Sequence, residues 1–168
     1  MTKVPGIDGG AGYRDRRLKA TDEVLGFGFL IGAVSRLHTN CLDRVLKPMG
    51  LTHAQSTLLL MLANVGEGLS QTEIAIALDL GKSTVVGMVD RLEAKSYVYR
   101  LLTSSDRRLK RVVITEKGKE AVATIRDTVD TINSLIFPPQ LRQQMASSED
   151  YLQRIRRRLI DMGPAPES

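Results

Sequence analysis

Two short runs carry most of the polar chemistry this sequence offers. Lys82, Ser83 and Thr84 stand in a row, with Arg91 further on; Asp106, Arg107 and Arg108 are followed by Lys110 and Arg111. Short hydroxyls donate and accept hydrogen bonds at close range, and guanidinium groups present paired N–H donors that match phosphates and base edges. That chemistry is recognition of a polyanion. For bond making the chain offers little: two histidines, His38 and His53, without metal-ligand spacing, and neither a phosphate-cradling glycine loop nor a nucleophile motif. An enzyme is not expected, and neither is a cofactor or a metal.

The elements that must hold these runs follow from periodicity. Ser70 reads as a helix cap with Glu73 completing a capping box, and Ile74, Ala75, Ala77 and Leu78 form the buried face of a short helix. Asp79-Leu80-Gly81 makes a turn. A second helix opens with Lys82, Ser83 and Thr84, buries Val85, Met88, Val89 and Leu92, and leaves Val86, Gly87, Asp90 and Arg91 outside. Counted from Gln71, the small Ala75 falls where two crossing helices come closest, while Ile74, Leu78 and Val85 lock the crossing. Tyr97 to Leu102 and Val112 to Ile114 read as two strands. Between them lies a polar, basic tip that includes Arg107 and Arg108. Two helices, a tight turn and a basic hairpin make a winged helix-turn-helix. In that arrangement the second helix enters the major groove of duplex DNA, and the wing arginines reach phosphates or the minor groove.

Flanking elements are helical. From Thr21 a long helix carries Phe27, Ile31, Val34, Cys41 and Val45 on one stripe, with Gly28 and Gly32 placed for close approach by another backbone, and stops at Pro48 and Gly50. Thr52 opens the next, with Leu58, Leu59, Met61 and Leu62 apolar. Thr115 caps a helix with a heptad-like seam at Val122, Ile125, Val129, Ile132 and Ile136. A last helix, capped near Ser147 or Ser148, turns Leu152, Ile155 and Leu159 inward and ends by Gly163. The expected fold is mainly α with a small β-wing: about six helices and a two-stranded wing. Residues 51–119 form the winged helix-turn-helix DNA-binding lobe; residues 21–50 and 120–163 form a helical lobe that dimerises through the first and last helices.

Composition fits this reading. The 168 residues include no Trp, four Tyr and three Phe, so the core must be aliphatic, and the formal charge is +5. A basic balance suits a polyanionic partner. One cysteine makes no internal disulfide, and no apolar run has signal-peptide or membrane-span character, so the default address is the cytoplasm. Residues 1–20, rich in glycine and then basic through Arg14, Arg16, Arg17 and Lys19, read as a disordered arm.

Three stretches resemble the MarR (multiple antibiotic resistance regulator) family: LTHAQSTLLLML, GLSQTEIAIALDLGKSTVVGMVDRLEAKSYV and SSDRRLKRVVITEKG. Most specific is the Asp-Arg-Arg wing followed by a strand and Thr115-Glu116-Lys117-Gly118. The resemblance implies a two-fold dimer on a pseudo-palindromic operator, a repressor released by a small aromatic carboxylate or phenol. It places Lys82, Ser83, Thr84 and Arg91 in the recognition helix and makes Arg107 and Arg108 the wing arginines. Asp106 then holds a wing arginine by an ion pair, and Ser70, Gln71 and Thr72 meet phosphate at a helix N-terminus. Three positions depart from the family pattern. Asp79 stands where the turn usually has glycine, Ser96 replaces a common glycine after the recognition helix, and Gly87 lacks the usual polar side chain facing DNA.

Two readings stay open for the first long helix. His38, with Arg36 nearby and Cys41 on the same stripe, could meet an effector carboxylate or phenol; the plainer reading is a histidine satisfied by a backbone carbonyl. Cys41 could sense oxidants, but mid-helix on an apolar stripe it reads more simply as structural. For the chain as a whole, the pattern is also compatible with non-specific DNA coating without an effector and with a helix-turn-helix used for protein contacts alone.

Overall fold

The computed structural model describes residues 23–103 and 106–163. The basic arm expected over residues 1–20 lies outside them. By backbone proximity the chain divides into two compact units, the first ending at Cys41 and the second starting at Leu42, so that the boundary falls inside helix α1 (Glu23–Leu46).

In the first unit α1 is apolar on more than one side. Phe27, Phe29, Leu30, Val34 and Leu37 are exposed, while Ile31, His38 and Cys41 are half-buried. This corrects the single stripe expected through Phe27, Ile31, Val34, Cys41 and Val45. A helix with apolar residues on several faces has no one stripe to read, and the positions of α1 that are shut from solvent are Leu42 and Leu46, both in the second unit. Nothing lies within 4 Å of a Cβ built at Gly28, and at Gly32 only the Arg36 side chain does. The backbone approach expected at these glycines is therefore absent among the described residues.

The second unit starts from two capping boxes. Thr52 opens α2 (His53–Val65): its hydroxyl accepts from the Gln55 N–H (3.2 Å) and its own N–H donates to the Gln55 side-chain Oε1 (3.0 Å). Ser70 opens α3 (Gln71–Leu78) the same way with Glu73, at 3.2 and 2.7 Å. Leu58, Leu59 and Leu62 of α2, Ile74 and Ala75 of α3, and Val85, Met88, Val89 and Leu92 of α4 (Lys82–Ala94) are buried. Ala77 is exposed, because two turns of helix bury only one stripe and Ala77 falls beside Ile76 on its outer side.

Three strands, not two, make the sheet, in the order β1 (Leu69–Ser70), β3 (Asp106–Ile114), β2 (Val98–Thr103), all antiparallel. The added strand is two residues long, with Leu69 opposite Val112 and Ser70 opposite Arg111. The β2–β3 register jumps between Leu102, opposite Lys110, and Thr103, opposite Asp106. Residues 107–109 are thus the extra length of a bulge in β3. Arg107 and Arg108, expected in the hairpin tip, lie on this strand segment.

Helix α5 (Glu116–Ile136) is capped by Thr115, whose hydroxyl accepts from the Gly118 N–H (3.0 Å) and donates towards the Ser96 and Tyr97 carbonyls (2.7 and 3.1 Å). A Cβ at Gly118 would collide with the Tyr97 carbonyl and the Ile114 side chain. The Thr-Glu-Lys-Gly signature is therefore a clasp that seats α5 against the end of the sheet. Val122, Ile125 and Ile132 of the expected seam are buried, and Val129 and Ile136 half-buried. A single turn, α6 (Pro139–Arg142), leads into α7 (Met145–Met162). This helix starts before the expected Ser147 or Ser148 cap, because backbone bonds from Gln144 to Leu141 and from Ser148 to Gln144 carry the chain straight on. It has no buried residue: Leu152 is 44 % and Leu159 62 % exposed, with Ile155 half-buried. The inner face expected for them is uncovered in the protomer.

Asp79 (φ +53°) and Ser96 (φ +60°) are the two positive-φ residues other than glycine among the described residues. These are two of the three departures from the family pattern. At Asp79 the α3 end closes by bonds from the Leu80 N–H to Ala75 (2.9 Å) and the Asp79 N–H to Ile76 (3.3 Å). At Ser96 the Tyr97 N–H returns to Leu92 (3.0 Å). A side chain in this conformation costs about 1–2 kcal/mol, against roughly 0.5–1 kcal/mol for the freedom glycine loses on folding. Asp79→Gly and Ser96→Gly should each therefore raise the unfolding free energy by up to about 1 kcal/mol in urea titrations. A loss of stability in both would contradict the strain assigned here.

Candidate nucleic-acid interface

With Val85, Met88, Val89 and Leu92 turned inward, α4 presents Ser83, Gly87, Asp90 and Ala94 along the opposite line, flanked by Val86 on one side and Thr84 and Arg91 on the other. Lys82, Ser83, Thr84, Val86 and Arg91 are exposed and Gly87 is half-buried. Gly81, the residue before the helix, provides no side-chain cap. The first N–H groups of α4 therefore have no side-chain acceptor from the capping residue, an arrangement that favours an anion. The turn that delivers this face is the one closed at Asp79.

Asp90 does not project freely from that face. Arg100 of β2 makes ion pairs with both Asp90 and Glu93, and its backbone N–H donates to Glu93 (3.2 Å). Partial burial opposes the guanidinium charge, but the hydrogen bond to Asp90 and the carboxylates of Glu93 and Asp90 outweigh it and hold the Arg100 pKa above its ordinary value. The clamp ties the exposed helix to the strand that starts the wing. Sequence reading missed it, although two acids three apart on one helix, followed after a tight turn by an arginine in a strand, are a usable signal.

At the N-terminus of α3, Ser70 and Gln71 are half-buried and Thr72 is exposed. The Ser70 hydroxyl is engaged within the capping box, where it accepts from the Glu73 N–H (3.2 Å). Glu73 sits below its ordinary carboxyl pKa of 4.5, first because the Ser70 N–H donates to it and then through the Ser70 hydroxyl. On the wing, Lys110 is exposed, and the backbone of Asp106, Arg107 and Arg108 belongs to β3, their side chains lying outside the described part of the structure. Arg111 is turned inward: its Nη2 donates to the Gly68 carbonyl (2.9 Å), and its Nε is buried without a hydrogen-bond partner. It braces β3 against the loop before β1. His38, Arg36 and Cys41 belong to the first unit, with Arg36 exposed and the other two half-buried. No group of metal-ligating side chains occurs among the described residues, and no described helix is long and apolar enough to cross a membrane.

Two crossing helices with a tight turn, an outward second helix and a three-stranded wing define a winged helix-turn-helix. The sequence profile of the MarR family matches residues 49–109. CouR from Rhodococcus jostii, solved bound to p-coumaroyl-CoA, is 30 % identical over 80 % of this chain and 92 % of its own, with a TM-score of 0.71. A MarR-family transcriptional regulator from a Rhodococcus species is 27 % identical over 81 % of this chain and 96 % of its own (TM-score 0.73). MepR of S. aureus, solved in complex with DNA, shares the fold at 23 % identity over 79 % of this chain and 97 % of its own (TM-score 0.73). The chain belongs to the MarR family of transcription regulators.

Two outcomes follow from the helix ends and the clamp. Removing Arg100 as Arg100→Met should cost under about 1 kcal/mol of stability, since its partners are partly solvated and screened. It should still weaken binding to a fixed DNA duplex several-fold, because Asp90 is then released as a bare anion on the outer face of α4; unchanged affinity in a titration would remove the clamp from the interface. The capping carboxylate gives a pH dependence. Because the folded pKa of Glu73 is depressed, its contribution is complete above about 4.5, the unfolded value, and is lost as pH falls through the folded pKa. The stability gap between the parent and Glu73→Ala, measured by urea unfolding at several pH values, should therefore close below pH 4.5. A gap that persists unchanged to pH 3 would contradict the assignment.

Proposed function

We propose that this regulator acts as a homodimer that sets one α4 from each protomer into successive major grooves of a pseudo-palindromic operator, and that it is a repressor and not an enzyme. The observation that carries the reading is the division of α4: one side wholly buried, the other offering Lys82, Ser83, Thr84, Val86, Gly87 and Arg91 to a surface. Half-sites would lie about one helical turn, ~10 base pairs, apart. Arg107, Arg108 and Lys110 of the wing add contacts to phosphate or the minor groove, Asp106 orients a wing arginine, and Ser70, Gln71 and Thr72 add helix N-terminal contacts. Dimerisation is supported by α7, an amphipathic helix with no buried residue in the protomer. The lobes follow as residues 51–119 for DNA and 21–50 with 120–163 for the dimer. A DNA ligand also supports a bacterial or archaeal cytoplasmic address, beside the nucleoid.

The effector we assign to the aromatic or phenolic acids. The support is kinship with CouR, whose solved complex holds p-coumaroyl-CoA, and the polar trio Arg36, His38 and Cys41 on α1, the groups of this chain we assign to effector binding. Binding of such a molecule would favour a form of the dimer with lower DNA affinity.

Selection from a random duplex library tests the reading. Recovery of an inverted repeat with half-site centres one turn apart is the expected result, and retention that tracks low salt without any motif would leave only non-specific binding. On the selected operator, Arg107→Ala should lower affinity about tenfold without altering the dimer, as one lost guanidinium contact predicts. Tight binding by an Arg107→Ala dimer would rule out the wing contact. Leu152→Glu with Leu159→Glu should yield monomers in sedimentation velocity.

A further inference from the structure

On the outer half of α4 the residues nearest the outward line are short or absent. Ser83 carries a single hydroxyl, Ala94 a methyl, and Gly87 nothing, with no atom within 4 Å of a Cβ built there. Asp90, the longest of this line, is drawn aside by Arg100. A ridge of this kind lets the helix backbone sit deep against a surface. What then reaches that surface is the set of residues flanking the ridge: Thr84 and Arg91 on one side and Val86 on the other. Val86 is 40 % exposed although it is branched and wholly apolar, while Val85, its neighbour in sequence, is fully buried.

An exposed valine among cations and hydroxyls has no polar work to do on a phosphate backbone. The major groove, however, offers one apolar feature, the C5-methyl of thymine, and contact with it distinguishes T·A from C·G at that step. We infer that Val86 is a specificity-determining residue that reads the C5-methyl of one thymine in each half-site, and that Gly87 makes the contact reachable by allowing α4 to approach the base edges. The inference rests on the proposed placement of α4 in the major groove. Within that placement it assigns the base chemistry. The operator carries a preferred thymine at one position per half-site, and discrimination there is apolar, whereas Lys82, Ser83 and Arg91 act by hydrogen bonding.

The test removes the methyl from the DNA and the valine from the protein separately and together. After selection of the operator by the parent protein, each thymine of a half-site is replaced in turn by deoxyuridine, which keeps every hydrogen-bonding group and lacks only the methyl. At one position the parent should lose affinity roughly fourfold, the worth of one buried methyl group. Val86→Ala should bind the thymine operator about as weakly as the parent binds the uracil one, and should lose less than twofold on the same replacement. Val86→Ile, which keeps the methyls, should retain the parent's discrimination, so that a defect of folding in one variant does not decide the matter. A uracil penalty that survives in Val86→Ala, or no penalty at any thymine, overturns the role of Val86 while leaving operator recognition intact. Failure to select any operator overturns the placement of α4 itself, and this inference falls with it.

Discussion

Val85, Val89 and Leu92 are closed to solvent and Met88 nearly so, and their burial decides which side of α4 is left to face outward. A helix of this length can hold only one stripe against its neighbours. Once that stripe is committed, the direction of Lys82, Ser83, Thr84, Val86 and Arg91 is no longer free. Other parts of the lobe refine this constraint. Ile74 and Ala75 of α3 are buried in the same lobe. Arg100 reaches back from β2 to Asp90 and Glu93, so the helix is fixed to the wing as well as to the core. Polar interactions alone would not give such a fixed presentation, since exposed ion pairs contribute little on their own. Here they add to a packing that has already chosen the geometry.

The ends of the two crossing helices place a second demand on the sequence. Both α3 and α4 finish with a left-handed residue that turns the chain sharply, and at both the residue is not glycine. The carbonyls freed at the end of each helix are taken by the next N–H groups, so each turn is closed by bonds that a looser connection would not make. Asp79 and Ser96 can hold this conformation because short polar side chains tolerate it better than branched ones do. The turn is therefore retained at some cost in stability, which indicates how closely the angle between α3 and α4, and the entry into β2, are specified.

Legibility in the sequence follows the same physics. The inner face of α4 is readable because its period is regular and its hydrophobic residues lie on one side only. Ser70 with Glu73 and Thr115 with Gly118 are readable because caps act within a few residues. What escapes is either non-local or too short to have a period. Strand β1 is two residues, and its existence depends on β3 far along the chain. The Arg100 clamp joins a strand to a helix, and Arg111 braces a loop preceding β1. The bulge that takes Arg107 and Arg108 out of the hairpin tip is a matter of register, which composition does not reveal. On α1 the difficulty is different in kind. Apolar residues on several sides pass for one stripe when a single buried face is assumed.

That assumption fails in a particular way at α7. The pattern of Leu152, Ile155 and Leu159 is a sound amphipathic one, yet no residue of the helix is buried in the protomer. A pattern of this kind specifies that a face will be covered without specifying by what. An isolated winged helix-turn-helix has a matching insufficiency, since one α4 can touch only a few base pairs and so discriminates poorly among the many competing sites of a genome. A second copy of the chain would answer both at once. In the proposed dimer it would supply an apolar partner for α7 and a second reading helix related to the first by a two-fold axis, and the symmetry of an isologous dimer would then be the symmetry demanded of the operator. On this argument the uncovered face of α7 and the exposed face of α4 would be two halves of one design, in which packing between the protomers of the proposed dimer sets the register at which the DNA is read.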